Sequence, residues 1–354
     1  MALIKAQISA GHDVTLAIDT ARSGDLLSRL SSEHLPVWAD MSLSVKAGIN
    51  RQVRDFLQLR DVWRSERYDI IHCHKSHEHT LAVLSRVPSS KTRLVRTLNK
   101  GVVLGVMRNA LLGRTDGLLT VARTDRQKLV STGLATKARV EVLGGVVDPG
   151  LFSPGRGAVL RDHLGIGKRV MVAGLVSRIK KGRGHSLLLE AWELVHEKLP
   201  EAHLVISGRG EWSDKISSMA RDTRFGKTVH VIGYQQDLVG LYRSLDVSVM
   251  LAPGNDGTCR AALQAMACAK PLVASDVGAL ADIVLQGRTG LLCRANQKYD
   301  LADALVELLS KRDKSAQMGV AARQRVEKFY TIERHFQVVE SFYNRIVGSD
   351  GVVA

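Results

Sequence analysis

Several things are missing from this 354-residue sequence, and each absence closes off a class of protein. No apolar stretch approaches the roughly 18 residues that a membrane-spanning helix needs. The amino terminus, MALIKAQISAGHDVTLAID, lacks the basic, apolar, then small-residue layout of a secretory signal. Four scattered cysteines (Cys73, Cys259, Cys268 and Cys293) include no Cys-x-x-Cys pair, which fits buried thiols in a reducing, cytoplasmic compartment better than a disulfide framework. Aromatic residues make up 5% of the chain and are sparse among the basic ones, which argues against stacking on single-stranded bases. No nucleic-acid recognition module is visible, so no nucleic acid is expected as a partner.

Acidic residues are missing from one long stretch. Between Glu78 and Asp116 none occurs, while Arg86, Lys91, Arg93, Arg96, Lys100, Arg108 and Arg114 all fall there. The whole chain carries a formal net charge of +15, which points to an anionic partner such as nucleotide phosphates or an acidic membrane surface. For the stretch itself two readings stand side by side: a solvated basic face, or a patch that docks on the anionic inner face of a membrane.

Short β-branched runs alternate with longer amphipathic stretches, the pattern of a parallel sheet wrapped by helices. Strands are expected at 14–18, 68–73, 93–98, 117–122 and 140–143, and again near 169–175, 203–207, 228–232, 246–250 and 271–274. Between the two sets lies GGVVDPGLFSPGRG, a Gly- and Pro-rich connection. The expected architecture is α/β: two doubly wound domains, residues 1–150 and 151–330, with a ligand at the carboxyl ends of the strands. Residues 331–354 form an amphipathic helix and tail that suits either domain. The chain opens as helix, Gly, strand, whereas a doubly wound domain ordinarily opens with a strand and a Gly-rich turn; the first domain is therefore expected to lack its first strand.

Three places offer chemistry. In VAGLVSRIKKGRGHSLLLEAWELV, a loop bearing Arg178, Lys180, Lys181 and Arg183 runs into a helix. Forked guanidinium groups and helix-end N–H groups together suit a pyrophosphate, against the alternative of a solvated basic loop. Gly208-Arg209-Gly210 is a weak strand-to-helix turn. In APGNDGTCRAALQAMACAKPLVASDVG, Asp256 stands at a helix entrance, where it is also a good N-cap, and Gln264 lies about two turns on. The backbone N–H groups of Gly257, Thr258 and Cys259 are placed to meet an anion or sugar hydroxyls. A fourth segment, HCHKSHEH, gathers His72, His74, His77 and His79; a metal site and a ligand-lining or structural role both remain open, and no carboxylate cluster with ligand spacing accompanies it.

Taken in order, Arg-x4-Arg-Gly-His before LLLEA, then LVISGRGE, VHVIGY, LYRSLDVSVMLAP, Asp-x7-Gln ahead of AMACAKPLVASDVGALADIV, and GRTGLL resemble the donor domain of family 4 retaining glycosyltransferases. YDIIHCHKSH, TDGLLTVARTDRQKL and VEVLGGVVDPGLFSP resemble that family's first domain and hinge. The resemblance covers nearly the whole chain. It implies a GT-B fold, two Rossmann-like domains, and is closest to bacterial enzymes of lipopolysaccharide and cell-surface polysaccharide synthesis. It implies a nucleotide-sugar donor, a glycan or lipid-linked acceptor, no metal or other cofactor, and a cytoplasmic or peripheral-membrane location.

Roles follow from the resemblance residue by residue. Arg178 and Arg183 would hold the donor diphosphate, with Arg183 where Lys is usual. Gly233 and Tyr234 would meet the base, Asp256 the transferred sugar and Gln264 the ribose. His74 would lie near the reacting sugar, with His72 as the other register. Gln264 departs from the family's carboxylate. An amide has one acceptor where a carboxylate has two, and losing one charge-assisted hydrogen bond removes about 1.5–3 kcal/mol, a weakened donor site. Ala269 stands where Gly is usual and leads us to expect a different turn before Pro271. The competing expectation is a GT-B relic that binds sugar nucleotides or protein partners without turnover.

Overall fold

A computed structural model describes residues 2–19, 25–39, 41–44, 48–222, 226–251 and 256–348. It divides into two compact units, residues 1–143 with 335–354, and residues 144–334.

The first unit begins α1 (Ala2–Ser9), β1 (Leu16–Ala17), α2 (Asp25–Ser32), β2 (Val37–Trp38) and α3 (Ile49–Ser65). It continues β3 (Ile70–Cys73), α4 (Ser76–Ser85), β4 (Arg93–Leu98), α5 (Val106–Gly113), β5 (Gly117–Thr120), α6 (Arg123–Ser131) and β6 (Val140–Val142). Strands β3-β4-β5-β6 pair in that order, all parallel, while β1 and β2 form a separate parallel pair. Strand β5 is buried along its whole length, as expected when helices cover both faces of a parallel sheet.

The second unit contains α7 (Ala158–His163), β7 (Val172–Val176), α8 (His185–Lys198), β8 (His203–Ser207), α9 (Ser213–Arg221) and β9 (Val229–Gly233). Then come α10 (Leu238–Ser244), β10 (Val247–Met250), α11 (Asp256–Ala267), β11 (Leu272–Ser275), α12 (Gly278–Ile283), β12 (Gly290–Cys293), α13 (Lys298–Ser310) and α14 (Arg312–Phe329). Its six strands run β12-β11-β10-β7-β8-β9, all parallel. The first strand of the unit, β7, thus has β8 on one side and β10 on the other. That reversal of winding direction is the place where such sheets open a crevice at their carboxyl ends.

The last helix, α15 (Ile332–Val347), closes one face of the first sheet. Val339, Phe342 and Ile346 pack with Val95, Leu119 and Leu143. Gly117 makes room: a Cβ there would come within 2.8 Å of the Phe342 ring. The segment that the sequence assigned to neither domain therefore belongs, from His335 on, with the first unit, and the division near the hinge falls after Leu143 rather than at residue 150.

Ala269 corrects a second expectation. The turn after α11 is not of a different kind. Lys270 N–H donates to the Ala265 carbonyl and Ala269 N–H to that of Met266, the paired bonds of a left-handed helix end. Ala269 itself takes φ +58°, which Gly would adopt without steric penalty.

Candidate functional site

The site in the second unit is built on the two strands that flank the switch point. The loop after β7 carries Arg178 and Arg183; the chain after β10 leads to α11. They meet: Arg183 Nη1 donates to Thr258 Oγ1 at 3.3 Å. Gly184, at φ +81°, is the residue before α8, and a Cβ there would overlap the side chain of Leu251, the residue after β10. Only glycine lets the two strand exits come this close.

The Gly-x-Gly turn after β8, weak as a motif, holds the basic loop in place. Side chains at Gly208 and Gly210 would overlap the carbonyl oxygens of Ser177 and Ile179. Their absence lets three backbone bonds form: Ser177 N–H to Ser207 O (3.0 Å), Ile179 N–H to Arg209 O (3.1 Å) and Trp212 N–H to Ile179 O (3.2 Å). Arg178 is thereby exposed on a backbone tied at both sides. Arg183 is half-buried, and burial, then the Arg178 charge, lower its guanidinium pKa. Two like charges held together in this way are preorganised for an anion, because the repulsion already stored is relieved when one binds.

His185 opens α8. It is buried, shares a 3.3 Å contact between its Nε2 and Ser177 Oγ, and is held neutral, its pKa pushed down to about 4 by burial and by Arg183. It thus packs beneath the loop without adding charge. One strand further, Gly233 takes φ +68° and its carbonyl accepts from Gly208 N–H and Ser207 Oγ, both at 2.9 Å. Tyr234 is 56% exposed, leaving its ring available, and the Arg209 guanidinium lies 4.8 Å from its centroid. The sequence reading passed over Arg209; its signal was the Gly on either side of it, which marks a close backbone approach.

Helix α11 contains Asp256 as its first residue rather than ahead of it. The Asp256 side chain lies outside the described residues. Gly257 is exposed, whereas the side chains of Thr258 and Cys259 are buried, so any contact by Cys259 runs through its backbone. Gln264 is half-buried in the third turn. Eight residues put it about 12 Å along the axis from Asp256 and about 80° around it, so the two positions address different parts of an elongated ligand rather than one point.

The histidines of the first unit separate. His72 bridges Tyr343 Oη through Nδ1 and Thr97 Oγ1 through Nε2, both at 2.6 Å. His79 Nε2 meets Thr115 Oγ1 at 2.7 Å. His74 is exposed after β3, its ring 4.2 Å from that of His72 and its carbonyl accepting from Asn99 Nδ2 at 3.1 Å. Among the described residues no three His, Cys, Asp or Glu side chains gather as a metal would require. Nor is the basic stretch a uniform face. Arg96 is buried and Arg86 pairs with Asp116 at 2.8 Å, while Lys91, Lys100, Arg108 and Arg114 are exposed.

Two family models cover most of the chain: Glycosyltransferase Family 4 over residues 1–151 and Glycosyl transferases group 1 over residues 159–325. A D-inositol 3-phosphate glycosyltransferase of Corynebacterium aurimucosum is 27% identical across 77% of this chain, which spans 64% of that relative's length. A glycosyltransferase from Rickettsia africae superposes with a TM-score of 0.82 at 15% identity, covering 98% of this chain and 93% of its own. Anabaena HepE, solved with UDP and glucose, superposes at 0.76 and 17% identity, covering 96% and 94%. The sheet order, the ordered motifs and the paired family models together place this chain among the family 4 glycosyltransferases of the GT-B fold.

Proposed function

We propose that the chain moves a sugar from a nucleotide-sugar donor to an acceptor, with retention and without a metal. The observation that carries this reading is the meeting of Arg183 with the first turn of α11 across the β7–β10 switch point. Glycosyl transfer passes through an oxocarbenium-like state while the departing diphosphate gains negative charge. Arg178, Arg183 and the amides of Gly257, Thr258 and Cys259 would stabilise that charge as it develops. Gly233 and Tyr234 would receive the base, Asp256 the sugar and Gln264 the ribose; His74 would stand at the reacting sugar. The departing phosphate can then take the acceptor proton, so no strong protein base is needed.

For the acceptor we propose a glycan or lipid-linked saccharide of the cell envelope, in lipopolysaccharide or polysaccharide synthesis. The names of the relatives favour a second reading, a phosphorylated polyol. Peripheral membrane docking is part of the proposal: Val106 and Met107, 88% and 78% exposed, sit beside exposed Lys100 and Arg108. No helix among the described residues is long and apolar enough to cross a membrane.

A thermal-shift screen of nucleotide sugars, followed by turnover assays of the hits, tests the reading. A selective stabilising donor that is consumed supports it. Binding without turnover across many acceptors would favour the non-catalytic relic instead. Equal sedimentation with acidic and neutral vesicles would reject membrane docking.

A further inference from the structure

The first unit holds a cation that the donor site leaves unused. Arg96, on β4, is 5% exposed. Its guanidinium has five N–H donors. Nη2 reaches Ser76 Oγ at 3.4 Å, whereas Nη1 is buried with no acceptor. Ser76 is the first residue of α4, so the guanidinium lies under the positive end of a ten-residue helix whose first-turn amides point outward. In the same turn His77 keeps Nε2 buried and without an acceptor.

The fold does not neutralise this charge. Glu78 is the acid beside it, and Glu78 is committed elsewhere. Its Oε2 accepts from the amides of His74 (3.3 Å) and Lys75 (3.0 Å), and its Oε1 pairs with Lys75 Nζ at 3.3 Å. Burial pushes the Cys73 thiol up to about 12, so it supplies no thiolate. His72 and His79 are lowered by burial and by Arg96 itself. A buried cation above a helix amino terminus, with donors to spare and its one acid occupied, is a site for an anion brought from outside.

We propose that Arg96, Ser76 and the first turn of α4 bind a phosphate monoester carried by the acceptor. Three phosphate oxygens match the donors: the Arg96 fork takes two, and the Ser76 hydroxyl with the Ser76 and His77 amides takes the third. The phosphate site itself stands on the geometry of the first unit alone. Its assignment to the acceptor rests on the glycosyltransferase reading above.

The test uses the full chain and inorganic phosphate at constant ionic strength, read by 31P NMR titration and by thermal shift. Because phosphate also suits the loop after β7, the background is the R178Q/R183Q double variant. Phosphate is expected to bind that background, and R96Q to weaken the binding at least tenfold. S76D keeps Arg96 and supplies an internal carboxylate. It is expected to fold, to melt no lower than the background and to lose phosphate binding to the same degree. Absence of binding to the background, or equal binding by the background and S76D, would overturn the site. In the otherwise unaltered chain, S76D should raise KM for a phosphorylated acceptor while leaving kcat and donor KM near their starting values. An unchanged acceptor KM would overturn the acceptor assignment. Arg96-dependent phosphate binding with no turnover of any donor would keep the site and discard the enzyme reading.

Discussion

Each sheet sends a strand into a cation-rich loop and then a helix, β3 into α4 in one unit and β7 into α8 in the other, and the two dispose of their charge differently. After β7, glycines at 184, 208 and 210 press backbone against backbone, so the loop is fixed by main-chain hydrogen bonds and its arginines are left to face a ligand. After β3, side chains do the fixing. His72 and His79 are consumed by Thr97, Tyr343 and Thr115, and Arg96 is buried. Histidines that look alike in HCHKSHEH are therefore structural at two positions and exposed at one. Positive charge marks function only where something other than that charge holds the loop.

The largest expected effect tests whether buried histidines support both units alike. His79 in the first unit and His185 in the second each fall to about 4 when folded, against about 6.5 unfolded. Above pH 6.5 both states are neutral and nothing is gained or lost. Below it the unfolded chain binds protons that the folded chain refuses, so stability drops until pH 4. At about 1.4 kcal/mol per pH unit per group, the pair removes on the order of 6 kcal/mol. Urea melts at pH 7.5, 6 and 5 should show the fall, with H79Q and H185Q each flattening part of it; a profile flat to pH 5 would contradict the burial.

Next in size, R178Q or R183Q should lower kcat/KM by about 10²–10³ with little change in Tm, read by steady-state turnover. G210A should separate scaffold from charge: overlap with the Ile179 carbonyl should destabilise the second unit by about 1–3 kcal/mol and weaken donor binding, although no cation is touched. Donor affinity and Tm falling together confirm the coupling. Gln264→Glu should tighten donor binding about tenfold, the worth of one charge-assisted bond, measured by calorimetry. Smallest of all, A269G should stabilise by about 0.5–1 kcal/mol by relieving the left-handed turn, visible as a raised Tm with unchanged donor affinity.

Much of this was legible in the sequence. Val- and Ile-rich runs located the central strands of both sheets because parallel strands are apolar on both faces. The arginines of the β7 loop were legible because a strand, a basic loop and a helix make a local unit. Less readable was whatever depends on distant partners. Nothing near Arg209 announces Tyr234, and nothing in HCHKSHEH reveals which rings Thr97 and Thr115 would claim. Strand β12 was missed because its pairing with β11, rather than its own composition, makes it a strand. Ala269 misled because intrinsic preference for Gly was outweighed by the two hydrogen bonds that close the helix end.

Phe342 occupies the space that Gly117 leaves empty, yet more than two hundred residues and an entire second sheet separate them along the chain. On a ribosome, the first sheet emerges early and waits, with Val95, Leu119 and Leu143 bare on one side, until the final helix arrives. A message cut short anywhere before that helix would yield a lobe with an uncovered apolar wall, the kind of surface that recruits chaperones or other unfinished chains.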